Sequence, residues 1–300
     1  MREASTPYVG RFAPSPTGPL HFGSLVACLA SYLDARAAGG TWLLRMEDLD
    51  RPRCRPEFAT QIPATLASLG FQWDGEILFQ SRRDDRYAEC LARLTSESRV
   101  YACACSRREI ADSAVTGIDG PVYPGTCRHL ALGARGNAIR VPVPDGTTAF
   151  TDRVQGHQSQ ELARDIGDFV LRRRDGLFAY QLAVVVDDAD QGVTDVVRGA
   201  DLLDSTPRQL LLQQMLGFPQ PRYLHIPVAV NAAGQKLSKQ TLAPALNNAA
   251  GCSQLNQALQ FLGQPTVPAD LAQTPSDLLL QAVSTWQPGS IPRSRFCHIP

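Results

Sequence analysis

The sequence predicts an α/β fold: a parallel sheet in two halves, an insertion between them and a short helical C-terminal segment. Three observations carry this. Tyr8 to Ala13 is a run of strand formers that feeds a stiff turn and then an amphipathic helix. Residues 176–240 repeat the alternation of buried apolar runs with a capped helix. Between the two, residues 101 to about 175 change character to glycine, proline, cysteine and short alternating pieces. The divisions are therefore 1–100, 101–175, 176–240 and a helical 241–300.

In the first unit Pro14, Pro16, Gly18 and Pro19 forbid regular structure until a helix begins near Gly23. Leu25, Val26, Leu29, Tyr32 and Leu33 recur at helical spacing, and Gly39-Gly40 supplies the stop. Such a turn opens a helix whose unpaired N–H groups and positive dipole end suit a phosphate. His21 stands on that rim, and Gly23 has no Cβ to hold a nucleotide away from the backbone. Any one of these features alone reads as a proline-rich connector; together they point to a phosphate site.

Composition narrows the class without naming it. The 300 residues carry 29 basic and 29 acidic side chains, a formal charge of zero, so any contact with a polyanion must be a local patch. No apolar run approaches the roughly 20 residues needed to span a bilayer, and residues 1–5 hold no apolar signal segment. A cytoplasmic protein without a membrane partner is expected. Eight cysteines, with Cys28, Cys54, Cys90, Cys252 and Cys297 scattered, argue against a disulfide framework.

Thr41 to Met46 reads as the second strand and ends in Glu47, Asp48 and Asp50. Acidic residues beyond the carboxyl end of a strand lie where open α/β sheets bind ligands. Glu47 leaves the strand first and is the better candidate, while Asp48 and Asp50 serve equally well as a solvated loop. Covering helices follow at Pro56 to Leu69, where Pro63 predicts a kink, and at Asp84 to Leu94.

In the insertion, Ser106 and Glu109 have the spacing of a capping box. Cys103, Cys105 and, across a glycine-rich turn, Cys127 suit thiolate zinc chemistry in a reducing compartment. On chemistry alone His129 is the ordinary fourth ligand, and Tyr123 the unusual one, because a phenol must lose its proton near pH 10 unless a metal helps. Strand-like pieces fall at Ala138 to Val143 and Thr148 to Asp152. Arg172 to Arg174 could touch phosphate, although such a run more often marks a solvated face.

The second half reads as a buried strand over Tyr180 to Asp188, then a second over Gly192 to Asp201. Thr206 to Gln209 has capping-box spacing with Pro207 at the first helical turn, and that helix runs to Gly217. Tyr223 to Val230 reads as a strand leading to the loop Lys236-Leu-Ser-Lys239-Gln240, and helical patterns follow at Ser253 to Leu262 and Ser276 to Trp286.

Arg11 to Gly18, followed by His21 to Ser24, resembles the His-Ile-Gly-His region of class I aminoacyl-tRNA synthetases of the glutamyl branch, and Lys236 to Gln240 resembles their Lys-Met-Ser-Lys-Ser loop. The departures are Ser24 for the second histidine, Leu237 for methionine and Gln240 for serine. The resemblance spans about residues 7–245 and is most specific to the truncated glutamyl-Q tRNA(Asp) synthetases. It implies a Rossmann-like class I parallel sheet with an inserted zinc-containing subdomain. It also implies one structural Zn2+ on Cys103, Cys105, Tyr123 and Cys127, and no anticodon-binding region after residue 240.

The activity so implied is ATP-dependent, tRNA-independent activation of L-glutamate and its transfer to the queuosine of tRNA(Asp) by a monomer, with Mg2+ accompanying ATP. Glutamate would meet Arg11, Ser15, Glu47, Tyr180 and Arg198; ATP would meet His21, Gly23, Ser24 and Lys239, with Lys236 assisting. Arginines suit a carboxylate because their planar donors are fixed. Pro14-Ser-Pro-Thr17, where a glutaminyl enzyme would carry Pro-Glu-Pro-Asn, favours glutamate over glutamine. A truncated enzyme charging tRNA(Glu), a small nucleotidylyltransferase and a silent synthetase-like module are the alternatives.

Overall fold

The computed structural model describes residues 7–113, 115–231, 234–236 and 244–299. Its first half is β1 (Val9–Phe12), α1 (Phe22–Ala37), β2 (Thr41–Met46), α2 (Pro56–Ser68), β3 (Leu78–Phe79) and α3 (Asp84–Ser96). β1, β2 and β3 pair in that order, all parallel. α1 packs over them with Leu25, Val26, Leu29 and Leu33 fully buried, and it ends before Gly39, whose φ of 64° is the left-handed region that favours glycine. Pro63 lies inside α2 without ending it.

The insertion holds β4 (Tyr101–Cys103), α4 (Arg107–Ser113), β5 (Thr116–Gly117), β6 (Gly120–Pro121) and β7 (Ala138–Val141), followed by β8 (Thr148–Asp152), β9 (Gly156–Gln160), α5 (Leu162–Asp165) and β10 (Phe169–Arg172). β4 and β10 flank β7 antiparallel. β8 and β9 form a hairpin that joins the other half of the sheet. The Ser106–Glu109 capping box is present: Ser106 N–H donates to Glu109 Oε2 at 2.7 Å and Glu109 N–H to Ser106 Oγ at 3.2 Å.

The second half is α6 (Tyr180–Asp190), β11 (Asp195–Gly199), α7 (Thr206–Leu216), β12 (Arg222–Ile226) and β13 (Val228–Val230). Three expectations are corrected here. Tyr180 to Asp188 is helix, not strand: Leu182 to Asp188 are buried on every side, so the apolar run shows no helical period, and the packing overrides the strand preference of Val184 to Val186. The Thr206 capping box does not form, because Thr206 is the first buried residue inside α7 and its hydroxyl accepts from Arg198 instead. The strand expected over Tyr223 to Val230 is broken at Pro227, which has no N–H for a ladder.

β11 lies beside β1, with Thr194 N–H just before β11 donating to Val9 O at 2.9 Å, and β11, β12, β8 and β9 form a second sheet in that order. The C-terminal segment adds α8 (Gly251–Phe261), α9 (Pro275–Ser284) and β14 (Phe296–His298), which pairs parallel with β13. One apolar cluster joins α1, β1, β2 and α2 to α8 and α9; a second joins α3, α6 and α7 to the strands of the insertion. Asp34, buried in α1, accepts from Tyr8 OH, from both Nη atoms of Arg153 just past β8, and from Trp286 Nε1 just past α9. No helix among the described residues is long and apolar enough to cross a membrane.

Candidate active site

A cavity of about 510 Å3 opens at the carboxyl ends of β1 and β11, against the first turn of α1. The β1–α1 turn reaches it because its proline-rich backbone is tied down: Pro14 O accepts from Glu47 N–H at 3.0 Å and Pro16 O from Arg55 N–H at 2.9 Å. Arg11, Ser15, His21, Gly23 and Ser24 line the cavity from this unit. Glu47 at the end of β2, Tyr180 at the start of α6, Arg198 in β11 and Lys236 line it from the others. Lys239, together with Leu237 and Gln240, lies outside the described residues.

His21 is the N-cap of α1, and its Nδ1 accepts from Ser24 N–H at 3.4 Å. Accepting at Nδ1 places the proton of a neutral imidazole on Nε2, making that atom the ring's donor beside the helix N-terminus. Lys236 Nζ pairs with Asp201 Oδ2 at 2.5 Å on the opposite rim.

The cavity floor is a charge network. Arg11 Nε donates to Asp188 Oδ1 at 3.1 Å, and Arg45, fully buried, reaches the same oxygen at 2.8 Å. Arg45 also stands 3.4 Å from Glu47 Oε1 and donates to Gln191 Oε1 at 2.8 Å. Burial pushes the Asp188 carboxyl up, but Arg11 and Arg45 more than offset it and hold it below the ordinary carboxylate range. For Glu47 burial wins: the same two guanidinium groups only partly offset it, and its pKa is raised.

Arg198 is held on three sides. Its Nε donates to His225 Nε2 at 3.0 Å, Nη2 to Thr206 Oγ1 at 2.9 Å, and Nη1 to Tyr180 OH at 3.4 Å. His225 is the register partner of Arg198 across β11 and β12, and its Nδ1 meets Asp152 Oδ2 at 2.7 Å. Asp188, Arg45, Asp152 and His225 were not picked out from the sequence. For Asp188, Arg45 and His225 the available signal was a charged or polar residue in or at the end of a buried apolar run; Asp152 ends a polar, half-exposed strand and carried no such signal.

The other acidic and basic candidates resolve differently. Asp48 accepts from Ser81 N–H and Oγ at 2.8 and 2.6 Å, and Asp50 pairs with Arg53, so both serve the loop after β2. Arg172 and Arg174 donate to the carbonyls of Ala134 and Gly136, while Arg173 pairs with Asp175.

In the insertion the sulfurs of Cys103, Cys105 and Cys127 lie within 4.8 Å of one another, Cys105 and Cys127 at 3.5 Å. A tetrahedral Zn–S distance of about 2.3 Å requires sulfurs about 3.8 Å apart, so the three thiols fit that ion. Tyr123 OH stands 3.4 Å from Cys103 Sγ and 3.7 Å from Cys105 Sγ, whereas His129 is exposed and outside the group. The Arg140 guanidinium lies 4.1 Å from the centroid of the Tyr123 ring, a position that favours an electron-rich phenol. Burial pushes the Cys127 thiol up, but hydrogen bonds from Tyr123, the Ala104 amide and the neighbouring thiols leave it lowered to about 7. Burial pushes the neighbouring Cys105 thiol the other way, up to about 11, so the shift toward thiolate is at Cys127.

The family model for the class I tRNA synthetase (E and Q) catalytic domain matches residues 8–256. A glutamyl-Q tRNA(Asp) synthetase of Dechloromonas aromatica is 56% identical over 300 residues, covering 99% of each chain. Its counterpart in Chromobacterium violaceum is 56% identical over 286 residues, covering 95% of each. Among solved structures, a glutamate tRNA ligase of Elizabethkingia meningosepticum in complex with its amino acid superposes with a TM-score of 0.80 at 22% identity, covering 98% of this chain and 67% of that one. The last is a likeness of fold.

Proposed function

The chain belongs to the class I glutamyl- and glutaminyl-type tRNA synthetases and, within them, to the glutamyl-Q tRNA(Asp) synthetase family of ligases; on that premise we propose that it activates L-glutamate with ATP and passes the glutamyl group to queuosine-bearing tRNA(Asp). Activation proceeds without RNA, in the cytoplasm, on a monomer. The observation that carries the reading is that two anchored arginines, Arg11 and Arg198, share one cavity with Glu47 and with the N-terminus of α1.

In activation the α-carboxylate oxygen of glutamate attacks the α-phosphorus of ATP, and the bond to pyrophosphate breaks. Little covalent work falls to the protein, which must align the reactants and place donors where charge accumulates. Arg198, with Tyr180, receives one carboxylate of glutamate, while Arg11 and Ser15 line the same floor. Glu47 takes the α-ammonium, whose positive charge draws it to the ionised form. His21 Nε2–H, the Gly23 amide, the Ser24 hydroxyl, Lys236 and Lys239 meet the phosphates, and Mg2+ enters with ATP. Cys103, Cys105, Tyr123 and Cys127 would hold one Zn2+, which would supply structure to the insertion; the turn that meets the nucleotide lies elsewhere in the chain.

The test is glutamate-dependent exchange of pyrophosphate into ATP without RNA, followed by glutamate transfer to tRNA(Asp) with and without queuosine. Exchange with queuosine-dependent transfer is expected. Transfer to tRNA(Glu) alone would identify a truncated ordinary glutamyl enzyme, and absence of exchange with every amino acid would point to a silent module.

A further inference from the structure

A buried chain of polar groups runs behind the cavity and is used by none of the steps above. Asp152, the last residue of β8, accepts from His225 backbone N–H at 3.1 Å and faces His225 Nδ1 at 2.7 Å. Its other oxygen accepts the amides of Val154 and Gln155 at 2.9 and 2.8 Å, so the carboxylate cannot turn away. Both Asp152 and His225 are buried, and the imidazole lies parallel to the Tyr223 ring at 6.0 Å.

The polarity of the chain follows from Arg198. A guanidinium is a donor and never an acceptor, so His225 Nε2, 3.0 Å from Arg198 Nε, must present a lone pair. The ring proton is then on Nδ1, where Asp152 accepts it. With Nε committed to His225 and Nη2 to Thr206, the guanidinium plane is set, and Nη1 is carried toward Tyr180 at the cavity wall.

We propose that Asp152 and His225 are positioning residues for amino-acid recognition, holding the Arg198 guanidinium as a fixed, donor-only face for a side-chain carboxylate. This rests on the glutamate-activating reading of the cavity. A carboxylate presents acceptors alone to such a face, whereas the isosteric amide of glutamine turns an N–H2 toward it and leaves donors opposed. The strand that supplies Asp152 belongs to the inserted hairpin, so the insertion contributes to selection of the amino acid.

The experiment compares His225→Leu, His225→Gln and Asp152→Asn in pyrophosphate exchange, with KM for glutamate, KM for ATP and the glutamate/glutamine ratio of kcat/KM measured for each. His225→Leu should raise KM for glutamate by about tenfold or more and lower the glutamate/glutamine ratio, with KM for ATP changed by less than about twofold. His225→Gln, whose side-chain oxygen can accept from Arg198 Nε, should recover most of the loss. In an Arg198→Lys background His225→Leu should add little, because the group it positions is gone.

Nitrogen-15 NMR of the unaltered protein should show His225 protonated at Nδ1 and bare at Nε2, a readout that does not depend on how the variants fold. A protonated Nε2, a parallel rise in both KM values, or a full further loss in the Arg198→Lys background would overturn the proposal. Absence of glutamate-dependent exchange in the parent protein would remove the reading beneath it, and the proposal with it; normal exchange in the parent with His225→Leu unaltered would overturn the positioning role alone.

Discussion

The cavity and the cysteine cluster reach order by opposite routes. Cavity side chains come from residues 11 to 236, and their arginines are anchored by buried partners: Arg11 by Asp188, which also holds Arg45 beneath the cavity, and Arg198 by His225. The cluster is drawn from residues 103 to 127 and sets three thiols and a phenol around one point, with the buried Arg140 guanidinium against the face of the Tyr123 ring. The cavity therefore inherits its geometry from the whole fold, whereas the cluster is a local grouping whose thiols could hold an ion.

The sharpest way to break the first half of that comparison is Asp188→Asn. It leaves Arg11 and Arg45 buried without their counter-charge, and a loss of about 3–5 kcal/mol is expected in urea unfolding, since breaking a buried pair strands the remaining charge. A loss below about 1 kcal/mol would mean that Glu47, 3.4 Å from Arg45, can take over the neutralisation.

Next comes pH. Burial of the His225 imidazole outweighs its Asp152 partner, and with the Arg198 guanidinium beside it the pKa falls from 6.5 to about 4; Asp201 acts weakly in the other direction. Between those values the unfolded chain binds a proton that the folded one does not. Stability therefore falls as pH drops from about 6.5 through about 4, by on the order of 3 kcal/mol from this group. Asp152 and Asp188, whose pKa values are lowered, add a further loss as pH falls below the ordinary aspartate range. His225→Gln should flatten the upper part of the curve and leave the lower part, measured by thermal melts across pH.

Smaller effects test the second half. A chelator, or Cys105→Ser, should release metal and lower the melting temperature of the insertion, while pyrophosphate exchange changes by less than about threefold. A proportional loss of exchange would show that the insertion shapes the activation site through more than Asp152. At the bottom of the scale, Arg53→Ala removes an exposed pair with Asp50 and should change stability by less than about 0.5 kcal/mol.

The same contrast governs what the sequence revealed. The β1–α1 turn, β2 and the Ser106–Glu109 cap were legible because proline, glycine and short-range spacing dictate them locally. Tyr123 entered by resemblance, since chemistry alone favoured His129 as the fourth ligand; the structure sets the Tyr123 hydroxyl 3.4 Å from Cys103 Sγ and leaves His129 exposed. α6 was misread because a helix buried all round loses the periodicity by which helices are recognised. His225 and Asp152 stayed hidden for a related reason: a lone histidine in an apolar strand looks like core, and its role exists only once β11, β12 and β8 lie side by side.

Asp34 sets the order in which the molecule can be completed. It ties Tyr8, Arg153 and Trp286 to one carboxylate, contacts that span up to 252 residues of chain from α1. β1 likewise waits for Thr194 before its open edge is covered. Loop closures of that length are slow and are made late. During synthesis β1 and the turn after it therefore emerge first and are completed late, and for most of that interval the edge of β1 and Asp34 are exposed to whatever else the chain, or its neighbours, can offer them.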